Sequence, residues 1–327
     1  MSATPERGVD DEVEAMVRAA WYYFVGGLNQ SEIADRLGLT RVKVNRLVGL
    51  ARERGHVAIR ITHPSARLME LEHRFAATFG LDRARVVPGL GPDMADGDAV
   101  ADRRAVAIAG AAFLETVLAT RPDAIVGVGW GGTIGEMVDQ VAVTAAPRAT
   151  FVSLMGSLTR QASANPFESV LKLAEKTRGH AHFLAAPTMA DTLADRQVFL
   201  AQRTVRDTLA IAERADIHLV GVTEASRRSF LLTQAIVTSE EMADAEAHGA
   251  VGSFVGLFFD RHGGNIDCDV NRRRIGVEPA VLVPKKVTAL VSGRPKTEAL
   301  LAALRGRLFG GIVTDEILAR AVLEAAS

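Results

Sequence analysis

The segment Thr40–Arg46 holds Arg41, Lys43, Asn45 and Arg46. Two kinds of chemistry meet there. Arginine and lysine neutralise phosphates, and the gain scales with the counterions they release. Asparagine and arginine can also pair bidentately with the edges of purines. Ser31 adds a hydroxyl upstream. Together these types describe a reader of double-stranded DNA, provided one exposed helix end presents them. The alternative is a small helical bundle with a solvated charged face.

A second chemistry lies further along. Gly127-Val128-Gly129-Trp130-Gly131-Gly132-Thr133-Ile134-Gly135 follows an apolar run and opens a helical pattern. Glycines let backbone N–H groups converge, Thr133 adds a hydroxyl, and a helix N-terminus adds positive potential. The loop therefore suits an anion or a hydroxyl-rich ligand. It also matches GxGxxG, but a dinucleotide fold wants an acid at the end of the next strand. Ser153-Leu154-Met155-Gly156-Ser157 stands there instead. A purely structural reading, glycines for strand-to-helix packing, stays open. A second loop, Ser292-Gly293-Arg294-Pro295-Lys296, places Lys296 at the start of a helix, either facing a ligand or solvated. It is the one full positive charge assignable to such a site. Asp260, ending the apolar run from Phe254, either orients ligand hydroxyls or serves as a turn residue before Gly263-Gly264. His180 and His182 lack partners at metal-ligand spacing, so no metal is expected. No nucleophile–base pair and no convergent acids gather around either glycine loop, so no cofactor and no catalysis are expected.

The elements that must carry these residues follow from periodicity. Asn29 and Glu32 form a capping-box pair, and Ile33, Ala34 and Leu37 make one apolar stripe. Gly38 permits a left-handed turn, Leu39 buries it, and Thr40 caps a second helix. Val42, Val44, Leu47, Val48 and Leu50 are expected on the buried side of that helix. The pattern is a helix-turn-helix. Its charge is asymmetric: Arg36 to Arg60 contains seven Arg or Lys and one acid, whereas the first fourteen residues hold five acids and one Arg. Val57-Ala58-Ile59-Arg60-Ile61 alternates like a strand and is expected to form a wing. A linker helix is expected within residues 63–83, where Leu68, Leu71, Phe75 and Phe79 recur. Beyond it, apolar runs at 85–87, 124–128, 151–155, 217–222 and 286–291 alternate with helical segments, including an alanine-rich one at 98–120. Buried strands alternating with helices imply a doubly wound, mostly parallel α/β domain, with ligands at the carboxyl ends of the strands. The expected division is therefore 1–62 for the winged helix-turn-helix and 63–327 for a ligand-binding and oligomerisation domain.

The 327 residues suffice for both, with 48% hydrophobic and 24% charged residues as in ordinary globular proteins. Net charge is −1, so nucleic-acid affinity must come from a local patch. One cysteine, Cys268, excludes an intramolecular disulfide framework. The first residues carry acids and no apolar signal run, and no segment has the length of a membrane helix. The expected location is a reducing cytoplasm.

Taken in order, these segments resemble the SorC family of sugar-responsive transcriptional regulators along nearly the whole chain. The likeness rests on residues 11–61, the Gly127–Thr133 loop, Leu154-Met155-Gly156-Ser157, Asn165-Pro166, Ala186-Pro187, Gly249-Ala250-Val251-Gly252, Phe258-Phe259-Asp260-Arg261-His262-Gly263, Gly293 to Lys296, and Thr314-Asp315-Glu316. The resemblance implies a domain folded like ribose-phosphate isomerase and glucosamine-phosphate deaminase. It implies an oligomer, a dimer or tetramer, whose operator binding is set by a sugar or sugar phosphate. Carried over by position, the family's effector pocket falls on Gly131, Gly132, Thr133, Asn165, Ser253, Asp260 and Lys296, and Gly129, Gly156 and Ser157 complete the expected effector site. Relatives often have Arg at Gly132, an acid at Ser253, and GIG where this chain has Gly221-Val222-Thr223. Those departures leave a free polyol as open as a sugar phosphate. The rival reading is a sugar-phosphate isomerase or deaminase that acquired a DNA-binding module.

Overall fold

The structure, a computed structural model, describes residues 7–58, 66–89, 99–143, 145–157, 166–227 and 229–327. The chain forms two compact units, Met1–Thr62 and His63–Ser327.

The first unit holds α1 (Arg7–Phe24), α2 (Gln30–Leu37) and α3 (Arg41–Glu53). Local chemistry sets each boundary. The Asn29 side chain accepts from the N–H groups of Ser31 and Glu32, and the Glu32 carboxylate accepts from Asn29 N–H at 2.8 Å. Gly38 ends α2 at φ 64°, ψ 33°, a conformation that costs glycine little. Thr40 Oγ1 accepts from Lys43 N–H at 3.2 Å and starts α3. Met16, Ala19 and Ala20 of α1 pack with Ile33, Ala34, Val44, Leu47, Val48 and Ala51. Val42 departs from expectation: it is 81% exposed. Two helical positions separate it from buried Val44, which turns it to the opposite face. The wing expectation falls mainly on residues 59–61, outside the described residues.

In the second unit the chain runs α4 (Ala66–Phe79), β1 (Arg83–Val87), α5 (Ala99–Thr120), β2 (Ile125–Val128), α6 (Gly132–Gln140), β3 (Thr150–Ser157), α7 (Pro166–Thr177), β4 (His180–Pro187), α8 (Leu193–Ala201) and α9 (Arg203–Glu213). It continues through β5 (Ile217–Val220), β6 (Val222–Glu224), α10 (Phe230–Thr233), α11 (Ser239–Ala247), β7 (Gly252–Phe254), β8 (Leu257–Phe259), α12 (Asp269–Arg273), β9 (Val287–Val291), α13 (Thr297–Arg305), β10 (Gly311–Asp315) and α14 (Glu316–Ala326). Seven strands form one sheet in the order β1-β10-β9-β5-β2-β3-β4, every pair parallel. Helices cover both faces, as parallel strands require. Val106, Leu114, Ile134, Met137 and Leu173 pack on one face. Leu71, Phe75, Ala212, Leu300 and Leu318 belong to the core on the other. Residues 66–79 thus pack into their own unit.

The run at 217–222 is not one strand. It breaks at Gly221, and β6 joins β7 and β8 in a small antiparallel sheet. The β7–β8 turn uses Val255 and Gly256, both with positive φ (43° and 76°). That turn shape suits a two-residue hairpin but strains a β-branched residue. Arg274 holds it: its Nε donates to Val255 O at 2.7 Å and its Nη2 to Val277 O at 2.6 Å.

In the centre of the large sheet, His218 is fully buried and neither ring nitrogen has a hydrogen-bond partner among the described residues. Its ring lies over Gly127, where a Cβ would come within 2.4 Å of Nδ1. Burial, assisted by nearby Lys286, lowers its pKa to about 4. The unfolded chain takes up this proton near pH 6.5 and the folded chain only near 4, so the stability is fully present above about 6.5 and is lost as pH falls towards 4. We expect about 3 kcal/mol to disappear between pH 7 and 4, and His218→Leu to flatten that part of the stability profile. Parallel profiles in denaturant titrations of the two proteins would contradict this.

Candidate functional site

The strand order reverses between β2 and β5, since β3 and β4 continue to one side and β9 and β10 to the other. Loops leaving β2, β5 and β9 diverge there and leave a cavity of about 320 Å³. Such switch points are where ligands enter open α/β sheets. Gly131, Gly132 and Thr133 come from the loop after β2, Gly221 to Glu224 follow β5, and Ser292, Gly293 and Lys296 follow β9. Trp130 and Phe230 supply an aromatic wall, their ring centroids 6.5 Å apart.

Local structure explains each contribution. Gly131 sits at φ 115° just before α6, and no side chain caps that helix. The first amides of α6 therefore open towards the cavity with the positive end of the helix dipole. Gly293, at φ 94°, turns the chain into a single 3-10 turn that carries Lys296. The buried Asp315 carboxylate secures this rim: it accepts from Gly293 N–H at 2.9 Å and Leu318 N–H at 2.8 Å. Burial nevertheless pushes the Asp315 pKa up, against the pull of those bonds. Burial also lowers the Lys296 pKa, while nearby Glu224 works in the other direction.

The structure brings together Gly131, Gly132, Thr133 and Lys296 of the expected site. Others lie elsewhere. Gly129 does not line the cavity; its N–H is spent on Leu219 O at 2.8 Å, and its bare Cα allows close packing on Val220. Gly156 lies within β3, where its N–H donates to Ile275 O and a Cβ would strike Pro187 O. Ser157 lines a separate cavity of about 140 Å³ beside Arg273. Ser253 is buried in β7, opposite Thr223. Asp260 organises a turn, accepting from the N–H groups of His262 and Gly264. Asn165 lies outside the described residues.

Sequence reasoning missed Arg103 and Glu224, both of which line the cavity. Lys296 is thus not its sole cation, and an acid is present. Arg103 crosses from α5 to Gly132, where a Cβ would meet its Nη1 at 3.4 Å, and its Nε donates to Glu136 at 3.0 Å. One signal was available: Arg103 and Arg104 are the only cations of α5 and sit near its N-terminus, the end where a helix dipole disfavours cations. Glu224 had no such signal.

In the first unit, Arg41, Lys43, Asn45 and Arg46 are all exposed on α3, and Thr40 and Ser31 are exposed beside it. Gln30 Nε2 donates to Asn45 Oδ1 at 2.9 Å, which fixes how the asparagine amide is presented. Among the described residues, no helix is long and apolar enough to cross a membrane, and no cluster of His, Cys, Asp or Glu has metal-binding geometry.

A ligand cavity at an α/β switch point, joined in one chain to a helix-turn-helix unit, is the architecture of an effector-controlled regulator. The chain belongs to the SorC family of sugar-binding transcriptional regulators. The family model described as "Putative sugar-binding domain" matches residues 63–324. The erythritol catabolism regulatory protein EryD of Brucella abortus is 33% identical over 319 residues, covering 96% of this chain and 98% of that one. The transcriptional regulator LsrR of Escherichia coli K12 is 28% identical over 340 residues, 99% of this chain and 98% of that one. In fold, the chain is similar to the full-length sorbitol operon regulator SorC of Klebsiella pneumoniae, with a TM-score of 0.74 and 23% identity over 98% of this chain and 100% of that one.

Proposed function

We propose that this protein is a cytoplasmic, non-catalytic regulator of carbohydrate or polyol metabolism whose operator binding is controlled by a sugar, sugar phosphate or polyol. The observation that carries the effector half is the cavity itself: helix-end amides, Thr133, Lys296 and an aromatic wall converge at the switch point. Such a mixture of donors and aromatic surface matches a hydroxylated molecule. Among the described residues its lining offers one carboxylate, Glu224, and no histidine, a poor set for the paired proton transfers of an isomerase. EryD, named for erythritol catabolism, supports a small polyol among the choices. We assign 1–62 to operator binding and 63–327 to effector binding and self-association.

For the DNA half, we place α3 in the major groove. Arg41 and Lys43 meet phosphates; Asn45 and Arg46 read base edges; exposed Val42 adds an apolar surface suited to a thymine methyl. One recognition helix covers few base pairs, so two-fold symmetric copies on paired half-sites follow. The test uses the full chain and duplexes it selects from a random library, with tetritols, pentitols, hexitols, aldoses and their phosphates added in turn. At least one should change operator affinity, and silence from the whole panel would overturn the effector reading. In the same assay Arg41→Ala with Lys43→Ala should flatten the logarithmic salt dependence by about two units, one per lost phosphate contact. An unchanged slope would remove both residues from the interface.

A further inference from the structure

Glu224 ends β6 and lines the cavity, and its Oε2 is buried without a hydrogen-bond partner among the described residues. A buried acceptor left unpaired costs about 1–3 kcal/mol, so its retention calls for a donor supplied from outside the fold. In the same cavity, no hydrogen bond or ion pair to the described residues is formed by the Lys296 ammonium, while the Nε of Arg103 donates to Glu136 at 3.0 Å. Among the described residues that line the cavity, Arg103 and Lys296 are the cations and Glu224 is the acid. A phosphate monoester carries close to two negative charges at neutral pH and favours a free arginine fork. Here the Nε of that fork is taken by Glu136, and the α6 N-terminus offers only a fractional positive charge.

We propose that the cavity selects an uncharged polyol, with Glu224 as the specificity-determining group: its carboxylate accepts hydrogen bonds from effector hydroxyls and repels a phosphate ester. This rests on the cavity being the effector site. Lys296 donates to oxygens of the same ligand, Thr133 and the first amides of α6 hold its other end, and Trp130 and Phe230 cover its carbon backbone. The ligand is neutral overall, so it brings no charge towards the Glu224 carboxylate. The carboxylate gains the donors it lacks without a new buried cation having to be found.

The test titrates the full chain with tetritols, pentitols and hexitols, each alongside its terminal phosphate ester, and with inorganic phosphate alone. Wild type should bind at least one free polyol tenfold or more tighter than its ester. Glu224→Gln keeps the shape and removes the charge. It should weaken the polyol about tenfold and shrink the discrimination against the ester by at least the same factor. A wild-type preference for the ester overturns the proposal without any variant being needed. So does a Glu224→Gln protein with unaltered preference while Lys296→Ala still weakens binding; that outcome leaves the cavity as the effector site. Binding indifferent to both substitutions, or no binding by any compound, overturns the site and the proposal together. A cooperative melt of ligand-free Glu224→Gln with a midpoint no lower than that of wild type confirms that the variant is folded.

Discussion

Lys296→Ala should produce a protein that still binds its operator but no longer responds to effector. Effector control is a coupling free energy between two sites, and Lys296 belongs to the cavity alone. A hydrogen bond from a charged group contributes about 2 kcal/mol. Effector affinity is therefore expected to fall about thirty-fold, with ligand-free operator affinity within about twofold of wild type. Isothermal titration and operator binding, measured with and without effector, read the two quantities separately. Lys285→Ala, at an exposed position outside the cavity, should change neither. A Lys296→Ala protein with full response would place the effector elsewhere.

Arg274→Ala should be the most destabilising single change in the second unit. Arg274 is fully buried, and burial lowers its pKa to about 10, which leaves it charged at neutral pH. It tethers the strained Val255 turn to the carbonyl of Val277. Truncation leaves two buried carbonyls short of donors and opens a cavity. The combined cost is about 4 kcal/mol, a fall in unfolding midpoint of about 10 °C for a unit of this size. Arg274→Met refills much of the volume without the donors and should lose less. Thermal melts of the three proteins check the order. Equal midpoints would mean that the β7–β8 turn holds its shape without this clamp.

The first unit was the most legible part of the sequence because its signals are local. Asn29 with Glu32, Gly38, and Thr40 with Lys43 each act within a few residues, and each appears in the structure as written. Strands β2, β3 and β9 were visible because both of their faces are buried, so the run of apolar residues is continuous. The edge strand β4 was not, since exposed His180 and half-buried His182 interrupt the apolar pattern. Gly221 concealed a change of sheet within what reads as one strand. In the cavity, the glycine loops showed in the sequence because they end strands. Arg103 and Glu224 did not, because they meet Gly132 and Lys296 only through tertiary structure. Asp260 allowed two readings in the sequence, and its carboxylate organises the turn before Gly264, while Ser253, placed by resemblance, is buried in β7.

Asp315 ties Gly293 to the first turn of α14 through a single buried carboxylate. That makes the cavity rim and α14 one mechanical piece. If an incoming ligand shifts the Gly293–Lys296 loop, the carboxylate must either give up a buried bond, at about 1–3 kcal/mol, or draw the helix after it. Glu316, the next residue, already grips Arg67 of α4 at 2.9 Å and Arg320 at 2.8 Å. The far end of that linkage is α4, so the cavity rim, α14 and α4 are joined by a short run of side-chain bonds within the second unit.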